Sequence, residues 1–300
     1  MSAAVEATDL AGVEAMLRAS RSGDRVGSVR AITLNLVVHA PGPDQVATAL
    51  DALEHIGPSH PLRAIVTTPA GGGLRATVAT SCWIGSADRQ VCSERVMVEA
   101  EPEALPSAVM ALLVPDLPVF VWWQGPLEPR SLVGDIADLA NRLILDSGEC
   151  GMDGVAGAMS LSPSLTDLAW AALLPWRDAV AALFDGRAGA AALGRLRAVD
   201  VRGPENDARL MAGWLRSRLG TELALERSGR PHRLERVALM SGNDVFRVER
   251  ARRSEVGTAV GPALPEHTVV LPTPKRATLV AGELSRLRRD RVFEQALAAA

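Results

Sequence analysis

Tyrosine is absent from this 300-residue chain, phenylalanine occurs four times and cysteine three times, yet tryptophan occurs six times. Cys82, Cys92 and Cys150 form no Cys-x-x-Cys pair and are too few for a disulfide scaffold. Lysine is almost missing too: Lys275 is the only one, so arginine carries the basic charge, a bias of ancestry in a GC-rich genome. No sign of charge dominates, and a net charge of -3 gives no broad attraction for phosphate backbones or anionic lipid. Nucleic acid and membrane surfaces are therefore not expected as partners. No apolar run approaches the roughly 20 residues that cross a bilayer. The stretch from Met1 to Leu17 carries acids and lacks the basic-then-apolar order of a signal peptide. A cytoplasmic protein with reduced cysteines is expected.

The motifs of common chemistries are missing as well. There is no GxxxxGK[ST], and no GxGxxG follows a strand. Gly71-Gly72-Gly73 sits between two predicted strands and reads as a turn, and Gly151, Gly154 and Gly157 have the wrong spacing for a phosphate loop. His55 and His60 flank Gly57-Pro58, so no helix places them on one face, while His39, His232 and His267 are scattered. No GxSxG occurs, and Cys150 has no evident base. Acid pairs such as Asp135 with Asp138, or Glu99 with Glu101, read as solvated faces. No catalytic, cofactor-binding or metal-binding residue is assigned.

What is present is an ordinary globular balance, 48% hydrophobic and 22% charged, sufficient to bury a core. Length and pattern predict an α/β protein of two domains, residues 1–160 and 161–300, each a mixed sheet flanked by helices. In the first, a short helix over Leu10 to Arg18 precedes a polar turn from Ser20 to Ser28. The β-branched run from Ala31 to His39 predicts a buried strand. A helix beginning near Asp44 stops before Gly57-Pro58, and Arg63 to Thr68 is the next strand. Leu74 to Cys82 and Gln90 to Glu99 read as a meander. Helices follow over Glu103 to Leu113 and Ser131 to Leu139, with strands at Leu117 to Trp123 and Leu143 to Asp146. Ser147 to Ser164, rich in Gly, Ser and Met, reads as the domain boundary. Beyond it come helices over Trp176 to Phe184 and Asn206 to Leu219. Strands are predicted at Leu196 to Val201 and near Glu235 to Met240, Val245 to Glu249, Val256 to Val260 and Thr268 to Leu271. A final helix spans Gly282 to Ala299.

Cys82 and Cys92 flank a predicted hairpin loop around Gly85, where a disulfide forms if their Cα atoms lie within about 7 Å. Two reduced, partly buried thiols are the expectation. Four of the six tryptophans fall in two short segments. Trp122 and Trp123 end one strand, and side chains alternate along a strand, so one indole is expected outward. In the second segment Pro175 suits a helix start, and Trp176, Val180 and Leu183 share a helical stripe near Trp170 and Arg177. Core packing is one role for these residues; anchoring at a partner interface is the other, since interface energy concentrates in Trp and Arg. Trp123, Trp170, Trp176 and Arg177 are the candidate anchors.

In SHPLRAIV, QVCSERVMVEA, VPDLPVFVWWQG, NRLILDS, LTDLAWAALLPWRDAVAALFD and RDRVFEQAL the chain resembles the OpcA family, the glucose-6-phosphate dehydrogenase assembly proteins of actinobacteria and cyanobacteria. These segments run from the first predicted sheet to the last helix. The sequence departs from the family pattern at Ala169, where Asn is common, and at Leu174, where Thr is common. The resemblance implies a non-catalytic partner that assembles and activates glucose-6-phosphate dehydrogenase for NADPH production in the oxidative pentose phosphate pathway, without a cofactor of its own. Thioredoxin-linked control through C-terminal cysteines is not carried over, because no cysteine follows Cys150. The alternative is a sugar-phosphate enzyme or metabolite sensor with a site between the two domains.

Overall fold

The computed structural model describes residues 5–22, 28–29, 32–84, 90–162, 164–229, 231–262 and 264–300. The expected loop around Gly85, residues 23–27 of the expected polar turn, and Ala31 lie outside them. In chain order the elements begin with β1 (Val5–Ala7), α1 (Leu10–Ser22), β2 (Ser28–Val29), β3 (Leu34–His39), α2 (Pro43–Ile56), β4 (Leu62–Pro69), β5 (Arg75–Ile84) and β6 (Gln90–Ala100). Next come α3 (Leu105–Leu112), β7 (Val119–Trp123), α4 (Arg130–Ala137), β8 (Arg142–Leu145), α5 (Ser147–Ala158) and β9 (Leu165–Asp167). Then follow α6 (Leu168–Ala172), α7 (Leu174–Ala182), α8 (Arg187–Leu193), β10 (Ala198–Arg202), α9 (Glu205–Leu219) and β11 (Ala224–Glu226). The chain closes with β12 (Arg236–Ser241), β13 (Asp244–Arg250), β14 (Val256–Gly261), β15 (Leu264–Val270), α10 (Arg276–Glu283) and α11 (Arg291–Ala298).

Two compact units result: Met1–Asp167 with Lys275–Arg289, and Leu168–Pro274 with Asp290–Ala300. The first holds a nine-stranded sheet ordered β1-β5-β6-β4-β3-β7-β8-β9, with β2 also on β6. From β6 through β4, β3, β7 and β8 to β9 every pairing is parallel, whereas β5 and β1 add antiparallel strands at one end. Parallel strands covered on both faces read as continuous apolar runs, and every residue of β3, β7 and β8 is buried. As expected, β6 turns back antiparallel on β5; its other edge then pairs with β4. A buried ion pair spans that parallel pairing, since Arg63 on β4 faces Glu94 on β6 in register. Arg63 Nη2 lies 2.6 Å from Glu94 Oε2, and Nη1 donates to Leu112 O at 2.9 Å.

Cys82 and Cys92 are directly opposite each other on β5 and β6, with Cα atoms 4.1 Å apart, and are joined as a disulfide. The expectation of two reduced thiols is corrected by this register. The bond closes a short loop, which restricts the unfolded chain only moderately. Reduction is expected to lower stability by about 2–3 kcal/mol, seen as an earlier urea midpoint with reductant that a Cys82→Ser variant reproduces.

The boundary-like stretch after Asp146 is also ordered. Asp146 caps α5, its Oδ1 accepting from Gly148 N at 2.9 Å, and β9 follows on the sheet edge. The second unit is built on a six-stranded sheet ordered β11-β10-β12-β13-β14-β15, antiparallel except for β10 with β11. Helix α9 carries Glu205 and Asp207 in its first turn and Arg216 and Arg218 in its last, matching the helix dipole. Gly220 ends it at φ 61, the left-handed conformation glycine adopts without strain. Gly213 lets α11 approach α9, because a Cβ there would sit 2.1 Å from Ala296 O. The single expected C-terminal helix is two, α10 and α11, separated where Asp290 caps the second. Among the described residues, no helix is long and apolar enough to cross a membrane.

Candidate functional site

Open parallel sheets bind ligands beyond the carboxyl ends of their strands, at the point where successive connections leave in opposite directions. In the first unit that point lies between β3 and β7: α2 leads from β3 to β4 on one side, and β7 pairs on the other. His39 ends β3, Trp123 ends β7, and the two are register neighbours. Their rings stack with centroids 3.8 Å apart and 19° between planes, while Trp123 Nε1 donates to Pro126 O at 2.8 Å. Both are buried, as is Trp122. The expected outward indole is thus corrected: β7 is a central strand with both faces covered, so alternation exposes neither ring.

The turn from β3 into α2 reads Ala40-Pro41-Gly42-Pro43-Asp44. A dinucleotide diphosphate is held at such a turn by backbone N–H groups of a glycine-rich loop and a helix N-terminus. Pro41 and Pro43 have no N–H to offer, and Asp44 adds a carboxylate to the first turn of α2. These residues do not fit a nucleotide cofactor. Burial also depresses His39 from 6.5 to about 4, so its imidazole is neutral at pH 7. The unfolded chain then binds a proton that the folded chain refuses. The contribution is fully present above pH 6.5 and is lost as pH falls toward 4, by about 3 kcal/mol at the limit. Urea unfolding between pH 7 and pH 4 is expected to show this slope, and His39→Phe to flatten it.

Beside this point, the carboxyl ends of β7, β8 and β9 are tied to one another. Gly125 N donates to Glu149 Oε2 at 2.9 Å, and Ser147 N donates to Asp167 Oδ1 at 2.9 Å. Arg276, the first residue of α10, pairs with Glu149 and reaches Asp146 Oδ2 at 2.9 Å. Burial raises the Asp146 carboxyl, and the Arg276 charge opposes that rise. Cys150 stands nearby, where burial first and then the charges of Asp167 and Asp146 push its thiol up to about 12. A thiol held protonated is neither nucleophile nor metal ligand. Among the described residues, no group of three or more His, Cys, Asp or Glu is placed to hold a metal ion.

In the second unit the tryptophan segment forms a latch. The Arg177 guanidinium lies 3.4 Å from the Trp170 ring centroid, and its Nη1 donates to Trp170 O at 2.6 Å. Trp170 Nε1 donates to Asp290 Oδ2 at 3.0 Å, while Asp290 Oδ1 accepts from Phe293 N. Trp170 also packs on Phe293, with centroids 5.7 Å apart. Asp290 therefore caps α11 and fastens it to α6. Trp176 is packed within the unit, with Arg250 5.3 Å from its ring centroid. Exposure is 1% for Trp123, 2% for Trp170, 1% for Trp176 and 9% for Arg177. Trp170 and Arg177 are brought into contact here, Trp176 lies in the same unit against Arg250, and Trp123 is in the other unit. Asp290, Glu149 and Arg276 were not legible as site residues, although the spacing of Asp290 before Phe293 is an N-cap signal.

Residues 53–157 match the family described as glucose-6-phosphate dehydrogenase subunit N-terminal domain, and residues 163–297 the one described as its C-terminal domain. The chain belongs to the OpcA family. Similar OpcA relatives include the putative OxPP cycle protein OpcA of Synechococcus elongatus, 31% identical over 55% of this chain and 41% of the relative. That of Nostoc punctiforme is 29% identical over 55% of this chain and 39% of the relative. The matched region thus spans about two-fifths of each curated relative. In fold, the OpcA chain is similar to an aldose-aldose oxidoreductase from Caulobacter crescentus, with a TM-score of 0.52 at 10% identity, covering 89% of this chain and 94% of that one. Within the OpcA-like segments Arg63 pairs with Glu94, Arg142 pairs with Glu283, and Asp290 accepts from Trp170.

Proposed function

We propose that this OpcA chain is a non-catalytic, cytoplasmic assembly factor and allosteric activator of glucose-6-phosphate dehydrogenase. It favours the enzyme's active oligomer and so supports NADPH production in the oxidative pentose phosphate pathway. Family membership over both matched regions carries this reading. No cofactor is required.

A protein that only binds another shifts its conformational equilibrium by the difference in affinity for the two states. A coupling of about 1–3 kcal/mol corresponds to about 5–150-fold in apparent affinity, within reach of a standard interface of about 1,600 Å². Trp123, Trp170, Trp176 and Arg177 serve binding from inside, by holding the segments that carry the contact surface. On α7 that surface includes Leu174, which is 41% exposed beside Pro175 and Trp176. Mixing the chain with the dehydrogenase of the same organism is expected to give one co-eluting species with raised activity. Turnover of sugar phosphates with NADP by the chain alone would contradict the non-catalytic reading.

A further inference from the structure

The second unit holds a cavity of about 460 Å³ where the end of β10, the approach to β12 and the end of β13 converge. Backbone bonds bring these strand ends together: Arg250 N donates to Glu235 O, and Glu235 N to Arg202 O, both at 2.8 Å. Four guanidinium groups line the cavity, from Arg202, Arg233, Arg250 and Arg252, against two carboxylates, Glu235 and Glu249. Both carboxylates are already engaged, Glu235 with Arg202 at 3.1 Å and Glu249 with Arg247 at 3.4 Å. Among the described residues Arg233, Arg250 and Arg252 make no ion pair of their own, although the charges of Glu255 and Glu235 act on Arg250. One of them, Arg250, is 8% exposed, a costly place for an unpaired charge. Its Nη1 donates to Thr273 Oγ1 at 2.7 Å, and its Nε is enclosed without a partner among the described residues. Burial, and then the charge of Arg233, lower the Arg250 pKa, while the charges of Glu255 and Glu235 act the other way. An anion bound between the two arginines would offset their repulsion.

We propose that this concavity is a binding site for a small phosphomonoester, held by Arg233, Arg250 and Arg252. Guanidinium forks match phosphate oxygens two at a time. Three convergent guanidinium groups favour a dianion, which a phosphate group is and a single carboxylate is not. The volume lies in the range of small-molecule sites and exceeds what a lone phosphate fills, leaving room for a polar body. The site stands independently of the proposed action on a dehydrogenase, and no dehydrogenase enters its test.

Isothermal titration of the full chain at fixed ionic strength, with inorganic phosphate, glycerol 3-phosphate, acetate and a short DNA duplex, tests it. Saturable binding of glycerol 3-phosphate and phosphate at one site per chain is expected, with acetate much weaker. The Arg233→Gln/Arg252→Gln pair is expected to weaken binding at least about tenfold while leaving the ligand-free thermal midpoint unchanged. Arg250→Lys, which keeps the charge but not the fork, is expected to weaken it by a similar factor. Absence of saturation by either phosphate, wild-type affinity in the double variant, or binding of the duplex alone would overturn the proposal.

Discussion

Glu283→Ala is expected to cost about 3–5 kcal/mol of stability, because it strands a guanidinium inside the first unit. Arg142 Nη2 lies 2.5 Å from Glu283 Oε2, with 1% and 3% of the two side chains exposed. Arg142 Nη1 has neutral acceptors in Ser164 Oγ and Arg288 O, and its Nε has none, so among the described residues Glu283 is the carboxylate paired with it. The pair also attaches α10 to β8, joining segments more than a hundred residues apart in sequence. Replacing both members by apolar residues of similar size, Arg142→Met with Glu283→Leu, is expected to recover most of the loss, since the desolvation cost disappears along with the attraction. Urea unfolding of the single and double variants measures both. A single variant as stable as the parent would mean that solvent reaches Arg142.

Trp176→Ala is expected to cost about 3–5 kcal/mol, the range for deleting a buried aromatic whose cavity only partly collapses. Trp176 is 1% exposed and lies against Arg250. Its removal would take packing from α7 and leave the Arg250 guanidinium less sheltered. Any loss of dehydrogenase binding in this variant should track the unfolded fraction. Leu174→Ala separates the roles: at an exposed position it should leave stability within about 0.5 kcal/mol, so weaker dehydrogenase binding would place α7 at the contact. A stable Trp176→Ala fold that binds more weakly by about 2 kcal/mol would instead return Trp176 to the partner surface.

The same burial explains what the sequence made legible. β3 and β7 are visible as apolar runs because parallel central strands are covered on both faces. The run Val119 to Trp123 already implied that neither Trp122 nor Trp123 faces solvent, and period-two alternation was the wrong rule for it. Helix α5 was hidden because Gly148, Gly151, Gly154 and Gly157 dilute its periodicity, although Asp146 supplies a cap. The place of β6 between β5 and β4 rests on pairings such as Arg63 with Glu94, a contact across thirty-one positions that no local pattern reports. The break before α11 had a local signal in Asp290, overridden by helix-compatible residues from Leu284 to Arg289. The arginine cavity was illegible for the same reason as β6, since its residues come from four separate stretches.

In the proposed function, surface complementarity acts in place of chemistry. Titrating glucose-6-phosphate dehydrogenase from the same organism with the intact chain, while following sedimentation and initial rate in the same samples, tests it most directly. A saturable shift to a larger species, accompanied by a rise in rate with the same midpoint, is the expected result. Unchanged sedimentation and unchanged kinetics at large excess of the chain would contradict it.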